Sequence, residues 1–231
     1  MNKFSWLITR LSKMPLPEIP WRILEKAKKT ADRHRRFSFP QLTDLPDNAI
    51  SRLAGHADPA ELARQFPESM ALHFKIAQNA LNHRFDAFGL KVFFEDILNW
   101  HLDPETGQSW PVKFWGDIDT RDRAYGGVKF VWEFNRLYCL VSLGLCFRMT
   151  GEDQYADQAG KLIVSWVAQN PYPMGVNWAS GIEAGVRLAN LVWALAFLEG
   201  YRFSEDVRGA VNRFVWCHAR HLHRYPSRYS S

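Results

Sequence analysis

Cysteine is scarce in this chain of 231 residues, and the three present exclude both a disulfide scaffold and a thiolate metal site. Cys139, Cys146 and Cys217 show no C-x-x-C spacing. Cys139 and Cys146 would stand about 10 Å apart on one helix, beyond disulfide reach, so all three read as buried thiols. Long apolar runs are lacking as well. The longest, Leu137 to Phe147, is too short to span a bilayer, and no transmembrane segment is expected. The N-terminal stretch Phe4, Trp6, Leu7 and Ile8 is broken by Thr9 and Arg10, which leaves no evident secretory signal. The expectation is a soluble, cytoplasmic chain, with the periplasm open should a leader precede it. Neither sign of charge dominates: 29 Lys plus Arg against 24 Asp plus Glu leave +5. Such a balance suits an acidic partner without demanding nucleic acid.

Aromatic residues are abundant, 14% with ten Trp, and a 47% hydrophobic content excludes disorder. A surplus of large rings either lines grooves or fills a bulky core. Residues 3–36 read as helix broken around Met14 to Pro20, with a basic run of Lys26, Lys28, Lys29, Arg33, Arg35 and Arg36 that reads as a solvated face rather than a polyanion contact. Residues 37–58 read as a loop with a short helix, and helical periodicity returns from Pro59 to Leu81. From Phe85 to Gly127 the signal turns irregular, with extended stretches at 88–90 and 92–94 and a turn at Asp103 to Gly107. This segment holds Trp100, Trp110, Phe114, Trp115 and Tyr125, as sugar-stacking faces or as a cover packed onto helices. Asp117, Asp119 and Asp122 are interleaved with Arg121 and Arg123 and lack the Gly and closing Glu of a calcium loop, so no metal site is assigned.

Lys129 to Met149 reads as one long helix, apolar nearly all round, with Lys129, Glu133 and Arg136 at i, i+4 and i+7. An amphipathic helix follows over Asp153 to Gln169 and stops at Asn170-Pro171. Residues 177–199 repeat the first pattern: an apolar helix with Glu183, Arg187 and Asn190 in one line. Ser204-Glu205-Asp206 then caps a one-sided helix running to about Leu222. Glu133 and Glu183 hold equivalent places in the two hairpins. Alternating inner and outer helices build an α-solenoid or an α/α toroid, and in a toroid the charged lines share a central funnel. A core ion pair between Glu183 and Arg187 and a cleft for a polar ligand both fit the second line.

Trp110-Pro111, the segment Gly127 to Arg136, the segment Asn177 to Arg187 and the closing Tyr225 to Ser231 together resemble the N-terminal part of the heparinase II/III-like polysaccharide lyases. The resemblance implies an all-α fold: an incomplete α/α toroid with an N-terminal arm (1–84), an irregular aromatic-rich cover (85–127) and toroid hairpins (128–231). The family's β-sandwich is not in this chain. It implies an acidic polysaccharide or oligosaccharide as partner, cleaved by β-elimination, and no cofactor. A group neutralises the uronate carboxylate, a base removes the C5 proton, and an acid protonates the leaving oxygen. In the family the Asn-His stretch and the Tyr that do this follow a tail like Ser227 to Ser231, so no catalytic residue is assigned here. The substrate-binding candidates are Lys129, Glu133, Arg136, Asn177, Trp178, Glu183, Arg187 and Asn190: Arg for carboxylate or sulfate, Glu to hold the guanidinium groups, Asn and Trp for sugar hydroxyls and faces. His218, His221, His223, Tyr225 and Tyr229 carry catalytic residue types, but a His-rich end of an outer helix reads as surface, and with Cys217 it makes only a weak zinc pattern. Two readings compete with the lyase: an inverting hydrolase pairing Glu133 with an Asp of 117–122, and a non-catalytic helical-repeat binding module. The inner helices are expected to leave apolar surface open.

Overall fold

The computed structural model describes residues 14–39, 59–94 and 98–227. The helix expected over 3–13, the loop over 40–58 and Tyr229 lie outside these residues. The described chain is mainly helical, as the periodicity predicts: α1 (Glu18–Arg33), α2 (Pro59–Gln65), α3 (Pro67–Leu81), α4 (Val128–Asn135), α5 (Tyr138–Thr150), α6 (Asp153–Gln169), α7 (Gly181–Phe197) and α8 (Glu205–Arg224). One antiparallel hairpin, β1 (Arg84–Ala87) and β2 (Leu90–Phe93), interrupts them. Phe88 and Gly89, expected as extended, form its two-residue turn, with φ of 52° and 86°. Asp86 accepts the Gly89 N–H at 2.8 Å and pairs with Lys91 across the strands, so local turn chemistry fixes the register.

Helix ends follow their side chains. Pro20 sits in the first turn of α1, where an N–H has no helical partner, so α1 starts before it rather than after. Pro67 opens α3, and Ser180 and Ser204 accept the backbone N–H groups of Glu183 and Val207. Gly151 closes α5 in the left-handed conformation.

Helix α5 is the centre of the core. It packs against α3, α6 and α7, while α8 covers α6 and α7, giving two consecutive hairpins, α5–α6 and α7–α8. Helix α3, sequence-assigned to the arm, shares this core through Ala77 and Ala80. Helix α1 is docked at its C-terminal end: buried Asp32 accepts from Arg224 and from the Tyr225 hydroxyl, both at 2.8 Å. Lys29 of the basic run lies 4.6 Å over Trp115, so that run is partly a packing face. The irregular segment is a cover, as Trp100, Trp110, Phe114 and Trp115 all point inward. Trp100 stacks on Phe134 at 4.8 Å.

Two expectations change. The stretch Val128–Thr150 is long and apolar enough, by length and composition, to cross a membrane, but it forms two helices in the core instead of one. Leu137 takes a left-handed φ of 60° between them. Helix α7 is not buried all round, as a helix apolar on nearly every side would be. Its line points inward, and Ile182 (66% exposed), Val186, Ala189 and Trp193 (45%) form an apolar outer stripe at i, i+4, i+7 and i+11.

Helices α5 and α7 approach closely at Gly144, where a Cβ would stand 2.8 Å from the Ala194 carbonyl oxygen and 3.1 Å from the Phe197 Cβ. Backbone does not yield as a side-chain tip does. Gly144→Val should lower stability by about 1–3 kcal/mol, read as an earlier urea midpoint; an unchanged midpoint would show that the two helices are not in contact there.

Candidate functional site

The break after Asn135 decides the geometry of the charged line. In a continuous helix Arg136 would follow Lys129 and Glu133 along one face. With the chain turning at Leu137, its guanidinium instead reaches across to α7. Nε and Nη2 fork onto the Glu183 carboxylate at 2.7 and 2.9 Å, and Nη1 donates to Glu133 at 2.6 Å. This fork is the strongest geometry for such a pair, and it holds the Arg136 charge firmly, with its pKa raised chiefly by the Glu183 bond. The break also leaves the Arg136 carbonyl without a helical donor, and the Asn190 side-chain amide supplies one at 2.8 Å. Tyr138, exposed and 3.4 Å from Arg136 Nη1, completes the rim. Lys129 stands exposed one turn before Glu133.

The other candidates lie inside. Arg187 is 0% exposed and does not pair with Glu183, which Arg136 has taken. Its Nε donates to His218 Nε2 at 3.1 Å, its Nη2 to the Asn177 carbonyl at 2.5 Å, and its guanidinium stacks 4.9 Å from the Trp166 ring. Burial pushes its pKa down to about 9. Asn177 belongs to a buried amide network. Its Nδ2 reaches the Trp100 carbonyl, Asn135 Oδ1 and Asn170 Oδ1 at 3.2, 2.9 and 2.8 Å, and Asn135 in turn accepts from Trp166 Nε1 at 2.9 Å. Trp178 is buried among Trp166, Tyr172, His218 and His221. The eight candidates therefore divide: Glu133, Arg136, Glu183 and Asn190 meet in one half-open row with Lys129 beside it, while Asn177, Trp178 and Arg187 form the interior wall behind.

A family model described as Heparinase II/III N-terminus matches residues 67–230. The chain belongs to this family. Comparison with curated proteins and with solved structures gives no match. Membership makes the heparinase II/III N-terminal region seen here a domain related to polysaccharide lyases. The match spans α3 to α8 and takes in all eight candidates, whereas α1 precedes it.

Within this heparinase II/III region, His218, His221 and Tyr225 are enclosed or engaged, whereas His223 and Tyr138 are exposed. His218 and His221 face the core, not the surface expected of an outer-helix end. His218 Nδ1 lies 2.7 Å from the Phe214 carbonyl, and burial together with Arg187 holds its pKa well below the histidine range. His221 is pushed down to about 3, first by burial and then by Arg187 and Lys29. The Tyr225 hydroxyl is committed to Asp32. The three Asp are used locally: Asp117 pairs with Arg33, Asp119 accepts from the Arg121 N–H and Asp122 from the Ala124 N–H. Sequence reasoning missed the network roles of Asn135, which read as mid-helix, and of Asn170, which read only as a helix stop. It also missed His218 as the acceptor for a buried arginine.

Two histidines whose folded pKa lies below the ordinary 6.5 take up protons only on unfolding. Their contribution is fully present above pH 6.5 and is lost as pH falls toward the folded values. Between pH 7 and 5.5 the pair should cost about 2–3 kcal/mol. Urea unfolding across that range checks this, and His218→Gln should flatten the slope; a stability independent of pH would contradict the buried neutral state.

Proposed function

We propose that this chain is the N-terminal helical part of a lyase that cleaves an acidic, uronate-containing polysaccharide by β-elimination. It shapes a polar wall of the sugar cleft, while the base and acid of the elimination come from residues outside 1–231. The observation that carries the reading is the half-open Glu133–Arg136–Glu183 row built between the end of α4 and α7 in a region that belongs to the heparinase II/III family. Two carboxylates and a guanidinium sum to −1, so the row suits sugar hydroxyls better than an isolated anion. It offers them carboxylate acceptors, the Tyr138 hydroxyl and, one turn before Glu133 on α4, the Lys129 ammonium. The enclosure of His218, His221 and Tyr225 supports placing the proton-transfer groups elsewhere, since a base must reach the C5 proton directly.

The purified chain should give no ultraviolet-absorbing unsaturated uronate from any acidic polysaccharide, and measurable turnover would overturn the placement of the catalytic groups. In gels containing a polyuronate the chain should be retarded, and Lys129→Glu should weaken that retardation. If retardation is absent, or indifferent to Lys129→Glu and Glu133→Gln, the row is scaffold alone.

A further inference from the structure

The basic residues that follow α1 remain unused by the reading above. They border a cavity of about 510 Å³ closed by the 166–174 stretch and by α8, a volume within the range of small-molecule sites. Three observations point to its occupant. The first is charge. Arg35 and Arg36 line it from one side and Arg213 from the other, and none has a carboxylate partner among the described residues. The lining carboxylate, Asp32, is already held by Arg224 and Tyr225, and Arg33 is paired with Asp117.

The second is how the guanidinium groups are held. Arg213 lies 5.2 Å over Phe39, Arg35 5.9 Å over Phe37, and neighbouring Arg220 5.0 Å over Phe37 and 5.3 Å over Trp216. Contact with a ring occupies the flat face of a guanidinium and leaves its N–H edge free to fork onto an oxyanion. The third is a set of buried donors with no acceptor. Tyr172 and Trp178 both belong to the lining, at 7% and 1% exposure, and neither Tyr172 Oη nor Trp178 Nε1 has a partner among the described residues. Arg220 Nε is in the same state. Burial raises the Tyr172 pKa, so its phenol stays protonated and donates. Unpaired buried donors are costly in a folded chain unless something accepts from them.

We propose that this cavity binds an oxyanion-bearing sugar unit, its carboxylate or sulfate held by Arg35, Arg36 and Arg213 while Tyr172 and Trp178 donate from the buried side. That the ligand is a sugar rests on the lyase reading; that it is anionic rests on the lining itself. The site is separate from the Glu133–Arg136–Glu183 row and shares no residue with it.

The test is calorimetric titration of the whole chain with a glucuronate-containing disaccharide, with inorganic sulfate and with cellobiose. The disaccharide should bind saturably, and cellobiose, which lacks the oxyanion, at least about tenfold more weakly. The double variant Arg36→Ala/Arg213→Ala should weaken disaccharide binding at least about tenfold, as expected for loss of charge-assisted contacts, and Tyr172→Phe should weaken it several-fold. Lys161→Ala, exposed on α6 and outside both the cavity and the row, should leave it unchanged. Sulfate binding without disaccharide binding would overturn the sugar assignment, and no anion binding, or binding undiminished in the double arginine variant, would overturn the site. Either failure, with polyuronate retardation still sensitive to Lys129→Glu, would sink this cavity and leave the lyase reading standing.

Discussion

One guanidinium ties the end of α4 to the second hairpin. Arg136 ends the first half of a broken helix, and its fork onto Glu183 spans the gap to α7 while Glu133 braces it from behind. Such a pair is weak evidence for stability, because desolvating the ions offsets much of their attraction. Its value is geometric. Two parallel N–H bonds to one carboxylate fix both distance and orientation, so they set where α7 lies along α5. The fork is reachable only because Leu137 leaves the helix, and that departure frees a carbonyl that Asn190 then satisfies. Break, fork and amide cap form one unit, and each needs the other two.

Arg187 solves the opposite problem, a cation fully buried with no carboxylate bonded to it. Its charge is spread over a ring face at Trp166, a backbone carbonyl at Asn177 and a neutral imidazole at His218. His218 serves as acceptor only while uncharged. Its depressed pKa and the arginine's lowered one are therefore two sides of a single arrangement, in which burial disfavours both charges and the histidine gives way first. The amides of Asn135, Asn170 and Asn177 extend this polar interior to the Trp100 carbonyl, so the cover, the end of α6 and the start of α7 are bound by directional contacts. An apolar core alone would leave their relative placement less defined.

The helices were legible because hydrophobic period and capping residues act locally: Ser204 with Glu205 and Asp206, the Asn170-Pro171 stop and the Pro59 start all appear where they read, while the division at Phe66-Pro67 did not. The inward line at Glu183, Arg187 and Asn190 was legible for the same reason, since spacing along one helix fixes a common face. Pairing was not. Glu183 and Arg187 stand at the ideal i, i+4 distance, yet Glu183 bonds to Arg136, because a residue 47 positions away presents a two-pronged fork. The split of the Lys129 to Met149 helix was hidden too, as nothing at Arg136-Leu137 disfavours helix locally and the tertiary fork overrides propensity. Sequence likewise gave no sign that Trp100, Trp110 and Trp115 turn inward, because an aromatic cover and a stacking groove have one composition.

The placement of charge then separates two kinds of recognition that the sequence reading had merged. A uronate approaching the row meets a guanidinium whose fork is filled by Glu183 and whose remaining nitrogen faces Glu133, so its carboxylate would have to displace one of them. Sugar hydroxyls face no such competition, since they can donate to the carboxylates already there. The arginines after α1 and on α8 are in the reverse position, held by rings that compete for no N–H. Between equal numbers of guanidinium groups, those braced by π faces retain their attraction for an anion and those braced by carboxylates have spent it. On that physical ground the proposed reading assigns the acidic group of a glycan to the arginine cavity and the sugar hydroxyls to the polar row.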